Sequence, residues 1–110
     1  MEEWRTISFT SNWRNKYEVS NLGRVRNANT KHIIKPQQST SKRHVTVFLT
    51  GGFWGHAQYG LAQIVYNEWV RESNEKPSYW WMHGYMSKGN FIGHKDGNKR
   101  NNRADNLYRY

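Results

Sequence analysis

Phe91-Ile92-Gly93-His94-Lys95-Asp96-Gly97-Asn98-Lys99-Arg100-Asn101-Asn102-Arg103-Ala104-Asp105-Asn106-Leu107 carries the densest chemistry in the 110-residue chain. It packs one histidine, two aspartates, four asparagines and four cations behind a short apolar run. Phe91 and Ile92 read as the end of a strand, and Asp96-Gly97-Asn98 supplies turn chemistry that tolerates positive φ. Leu107, Tyr108 and Tyr110 resume a strand-like pattern. The stretch predicts a terminal β-hairpin with His94 where a strand opens into an asparagine-rich loop. Such a loop can hold an imidazole rigidly beside a polyanion.

Upstream of it, Leu61, Ile64, Val65, Glu68 and Trp69 recur at helical spacing, which predicts a helix from about Tyr59 to Glu72. Arg43-His44-Val45-Thr46-Val47-Phe48-Leu49-Thr50 is a β-branched strand, and Gly51-Gly52 turns it back into Phe53 to Ala57. His32 to Lys35 reads as a short strand closed by Pro36. Nearer the start, Trp4 to Phe9 alternate weakly. Tyr17-Glu18-Val19-Ser20-Asn21-Leu22-Gly23-Arg24-Val25-Arg26 is a hairpin with a tight turn at Asn21 to Gly23, its two arginines opposite Val25. Residues 4–57 are expected to form one small antiparallel sheet, apolar on the face of Val25, Ile34, Val45, Val47 and Leu49. The fold class is α+β: this sheet, one central helix and a C-terminal β-hairpin. Two units follow, an antiparallel β element at 1–57 and a helix plus loop at 58–110.

Only 35% of residues are hydrophobic, but 15% are aromatic, including six Trp, and large rings can close a core in a short chain. The absence of cysteine excludes disulfides and thiolate metal sites. No apolar run approaches a membrane span or a signal segment, so the expected location is cytoplasmic. The formal net charge is +9. Its distribution matters more: no acid stands between Glu18 and Glu68, where Arg24, Arg26, Lys31, Lys35, Lys42 and Arg43 fall. Lys95, Lys99, Arg100 and Arg103 surround the His94 loop. Uneven positive charge favours phosphate backbones, and double-stranded DNA is the expected partner. The alternative for Arg24 and Arg26 is a solvated hairpin edge, where cations discourage edge pairing.

Two segments carry a resemblance. Gly93 to Leu107 resembles the core loop of HNH endonucleases of the phage- and intron-encoded homing type. Tyr17 to Arg26 looks like the modular element found upstream of that loop in such enzymes, and the two stand in the expected order. The resemblance implies a ββα-metal site in which His94 is the general base, Asn106 holds the loop and a divalent cation, Mg²⁺ or Mn²⁺, assists phosphodiester hydrolysis. A single such site implies nicking. Asn98 and Asn102 join Arg24, Arg26, Lys35, Lys42, Arg43, Lys95, Lys99, Arg100 and Arg103 as expected DNA contacts. Gly93 stands where these nucleases often carry Asp. Only four residues follow Asn106, so a motif truncated before its metal-bearing helix is expected, with metal ligands unassigned.

His32, His44, His56 and His83 lack metal-ligand spacing and read as strand or surface residues. For His94 two roles stay open: a base that takes a proton from water, and a ring that only hydrogen-bonds its loop. Asp96 is best explained as an Asx residue closing the turn before Gly97. The aromatic stretch 78–90 either covers the core or, through Tyr79, Trp80, Trp81 and Tyr85, meets bases or a protein partner. The alternative to an endonuclease is a degenerate relative that binds DNA, or a host or phage protein, without cleavage.

Overall fold

The structure, a computed structural model, describes residues 1–10, 13, 15–38, 45–52, 55–72 and 92–109. Lys42, Arg43, His44, His83 and the aromatic stretch 78–90 lie outside these residues. The described strands form three antiparallel sheets. The first has four strands in the order β1 (Trp4–Thr6), β2 (Tyr17–Ser20), β3 (Val25–Asn27) and β4 (Ile33–Ile34). The second is β5 (Gln37–Gln38), β6 (Val45–Gly52) and β7 (Gly55–Gly60). The third pairs β8 (Ile92–His94) with β9 (Leu107–Arg109).

The single upstream sheet expected from sequence is thus two. The chain leaves β3's neighbour at Lys35-Pro36 and pairs next with β6. Proline has no N–H to donate, so the ladder cannot run through it. Both sheets nevertheless feed one core. Ile7, Tyr17, Val19, Val25, Val47, Leu49, Tyr59, Leu61, Ile64, Val65, Tyr66 and Leu107 are buried together. The expected apolar face holds at Val25, Val47 and Leu49, with Ile34 and Val45 packed at its margin.

The helix is shorter than its periodicity predicts. Tyr59 and Gly60 remain in β7, paired with Val47 and Thr46, so α1 spans only Leu61–Val65. The chain continues as a π-helical turn, Tyr66–Val70, closed by Arg71 N–H donating to the Tyr66 carbonyl at 2.8 Å. This wider turn carries Glu68 and Trp69. Glu68 accepts from Ser8 N–H at 2.9 Å and Ser8 Oγ at 3.1 Å, fixing the 3₁₀ turn Ser8–Thr10 that interrupts the first strand. Trp69 Nε1 donates to the Val19 carbonyl at 3.1 Å, and the Arg5 guanidinium lies 4.0 Å above the indole ring.

The β2–β3 hairpin forms where its turn residues predict. Gly23 takes φ +88°, a conformation that costs an L side chain strain. Ser20 Oγ accepts from Leu22 N–H at 3.2 Å and Arg24 N–H at 3.1 Å, so backbone donors at the turn are satisfied.

Candidate functional site

The terminal hairpin forms as read from the sequence. Gly93 faces Tyr108 and His94 faces Leu107 across the ladder, and Lys95 N–H extends it to the Asn106 carbonyl at 2.8 Å. Leu107 is 2% exposed and anchors β9 in the core. The loop then turns sharply, with Gly97 N–H on the His94 carbonyl at 2.9 Å and Gly97 at φ +75°. Asp96 Oδ1 accepts from Asn98 N–H at 2.8 Å, the Asx turn expected there. Asn98 repeats the device, its Oδ1 accepting from Arg100 N–H at 3.0 Å.

Two asparagines of the loop are buried, and they do different things. Asn106 fastens the two ends of the loop. Its Nδ2 donates to Asp96 Oδ1 at 2.9 Å and the Asn101 carbonyl at 2.8 Å, and its Oδ1 accepts from Asp96 N–H at 3.2 Å. Asn102, 4% exposed, faces the histidine: its Oδ1 lies 2.7 Å from His94 Nε2, and its Nδ2 donates to the Lys99 carbonyl at 3.2 Å. The residue touching the imidazole is therefore Asn102, which the sequence reading set among DNA contacts. The buried side chain points into the loop. Asn106 acts one step away, on the backbone that carries the ring. His94 itself is half-buried.

Asp96 also accepts from Asn101 Nδ2 at 2.9 Å. That bond, then those from the Asn98 N–H and Asn106, hold its carboxyl down at about 2. Both carboxylate oxygens are committed to the loop. At Gly93 a Cβ would lie 2.7 Å from Tyr108 Cε1 and Oη, so the ring fills the space a side chain would need. Among the described residues no group of three or more His, Cys, Asp or Glu could hold a metal ion. The donors among the described residues therefore do not make such a set.

The cations divide into two sets. Lys95, Lys99, Arg100 and Arg103 ride on the loop and are exposed, Arg103 with Asp105 at 3.8 Å. Neither Lys95 nor Lys99 has an acidic partner among the described residues. On the β2–β3 hairpin, by contrast, Arg24 is ion-paired with Glu2, and Arg26 with Glu18 at 2.8 Å; Lys31 reaches Glu18 at 3.4 Å. The hydrogen bond from Arg24 lowers the Glu2 pKa and raises that of Arg24. Burial pushes Glu18 up, but its bonds from Arg26 and Lys31 outweigh this and leave it below its ordinary value. Both guanidiniums lie over the Trp4 ring, at 5.6 Å for Arg24 and 3.9 Å for Arg26. Lys35 is exposed beyond β4. Sequence reasoning missed Glu2, Glu18 and Tyr108, and it read Asn21 and Gly23 only as turn formers.

The fold and loop define a histidine-bearing β-hairpin set against basic antiparallel sheets. Comparison with family profiles gives two matches, the NUMOD4 motif over residues 2–50 and HNH endonuclease over residues 80–108. A solved structure, described as DNA binding and cleavage by the HNH homing endonuclease I-HmuI, is similar with a TM-score of 0.69 at 24% identity, covering 98% of this chain and 52% of that one. The chain spans about half the length of that neighbour. Comparison with curated proteins gives no match. The chain carries the two motifs in that order and shares the neighbour's fold, α+β with small antiparallel sheets and one helix. No helix among the described residues is long and apolar enough to cross a membrane.

Proposed function

We propose that this chain binds double-stranded DNA and presents His94 as the general base of a phosphodiester hydrolysis that nicks one strand. The observation that carries the reading is the loop itself: a half-buried imidazole fixed at the mouth of a β-hairpin, with Lys95, Lys99, Arg100 and Arg103 on the same short segment. A neutral ring there takes a proton from water as the water oxygen attacks phosphorus. The bond from phosphorus to the ester oxygen breaks, and the leaving oxygen takes a proton from solvent. The flanking cations stabilise the charge that builds on the phosphoryl oxygens. The test is nicking of supercoiled plasmid with Mg²⁺ or Mn²⁺, the cations that the resemblance implies. Activity abolished in His94→Ala with DNA affinity retained supports the reading; activity retained in that variant sinks it.

A second reading has its own support. Position 93 has no side chain and no room for one while Tyr108 stays in place, and both Asp96 oxygens already accept from the loop. A chain with those features binds DNA through its cations and cuts nothing. A salt-sensitive DNA mobility shift, with no nick under any divalent cation, selects this reading over the first.

A further inference from the structure

We propose that the Asn21–Gly23 turn of the β2–β3 hairpin is a positioning element for His94, acting through Asn102. The proposal rests on the reading of His94 as the base and deepens that same site.

The chain of contacts begins at the ring. Asn102 Nδ2 donates to the Lys99 carbonyl, a group that can only accept, and this bond fixes which way the amide points. Oδ1 therefore faces the imidazole, 2.7 Å from Nε2. An amide oxygen cannot donate, so Nε2 carries the proton and Nδ1 carries the lone pair. Asn102 thus selects the tautomer, and with it the nitrogen that can accept a proton.

Asn102 is gripped from behind by the N-terminal element. A Cβ built on Gly23 would lie 2.7 Å from the Asn102 carbonyl oxygen, 2.8 Å from its carbonyl carbon and 3.3 Å from its Cβ. Beside this approach, Ala104 N–H donates to the Asn21 carbonyl at 2.8 Å. Asn21 is itself held, its Oδ1 accepting from Glu3 N–H at 2.8 Å. Gly23 therefore meets two separate demands. Its φ of +88° closes the turn, and its missing side chain lets the turn press on the backbone of the residue that orients the base. Within the upstream hairpin it is the Asn-x-Gly turn that does the docking.

The test is ¹⁵N-histidine NMR of the full chain, with His94 assigned by loss of its signals in His94→Ala. Wild type is expected to show Nε2 protonated, with a slowly exchanging Nε2–H. Asn102→Ala loses that protected proton, and Asn102→Asp, which keeps an acceptor, retains it. Gly23→Asn tolerates positive φ but still carries a Cβ, so it isolates the close approach from turn strain. It is expected to lose the protected proton as Asn102→Ala does, while Val25→Ala, which weakens the same hairpin through its core face, keeps it. Where wild type nicks DNA, Gly23→Asn should lower the rate by on the order of 10²-fold at unchanged DNA affinity. A wild-type ring protonated on Nδ1, or a Gly23→Asn spectrum matching wild type, overturns the proposal. Failure to nick with these spectra intact removes the endonuclease reading and leaves the positioning role standing.

Discussion

On the proposed reading, the salt dependence of DNA binding should separate the two sets of cations. Counterion release makes the slope of log affinity against log salt about −0.9 per neutralised phosphate. Lys95 and Lys99 are exposed without an acidic partner among the described residues, so each can take a phosphate without giving up an ion pair. Replacing both with Ala should flatten the slope by roughly 1.8, and cost about 12-fold less affinity on going from 50 to 200 mM salt. Arg24 and Arg26 start differently, each already neutralised by a carboxylate, Glu2 and Glu18. To meet phosphate they must break these pairs, so their double Ala variant should change the slope by less than about half a unit. The converse variant, Glu2→Gln with Glu18→Gln, frees both guanidiniums and should steepen the slope. Fluorescence anisotropy with a labelled duplex across a salt series reads all three. A slope loss near 1.8 for the arginine pair, with none for the lysine pair, would refute the assignment, because the acids would then not be gating the hairpin.

Other consequences concern the loop. Asn106→Ala removes three hydrogen bonds from a buried position and leaves Asp96 and the Asn101 carbonyl short of donors. Urea unfolding should show a loss of about 2–3 kcal/mol, and a change under about 0.5 kcal/mol would contradict the role given to Asn106. Asp96, held at about 2 against 3.8 unperturbed, contributes stability that is present above pH 3.8 and lost as pH falls through about 2. Melting temperature followed through that window should drop in wild type, and Asp96→Asn should lack that component. Gly93→Asp places a carboxylate beside the base only if the Tyr108 ring moves. The single variant should be destabilised by about 1–3 kcal/mol, and Tyr108→Ala in the same background should restore the loss. If Gly93→Asp alone is as stable as wild type, the ring was never a barrier.

Much of the site was legible because its elements are local. The His94 hairpin, the Asp96 turn, the Asn21–Gly23 turn and the strand from Val45 all follow from residues adjacent in sequence. What the sequence could not give is what depends on partners far along the chain. Nothing near Arg24 announces Glu2, and nothing near Gly23 announces Asn102. The helix boundary failed for a related reason, since Tyr59 suits either a strand or a helical apolar stripe and only its pairing with Val47 decides. Within the loop, four asparagines at close spacing look interchangeable. Their division into one that ties the ends, one that orients the ring and two that shape the turn is a product of tertiary folding.

That division also explains why the loop is built from amides. Rigidity in a short irregular loop requires acceptors for its backbone N–H groups and donors for its carbonyls. Carboxylates would supply acceptors but would repel phosphate, and each would cancel a neighbouring cation. Asparagine supplies both roles with no charge. The loop makes one exception: Asp96 accepts from the Asn98 N–H and from the side chains of Asn101 and Asn106, three donors around a single charge. Its carboxylate is spent inward, and the cations of the loop are left to face outward. The same arrangement leaves Lys95 and Lys99 without an acidic partner among the described residues. On the proposed reading, the uncharged amides fix the imidazole while the loop keeps its positive charge for phosphate.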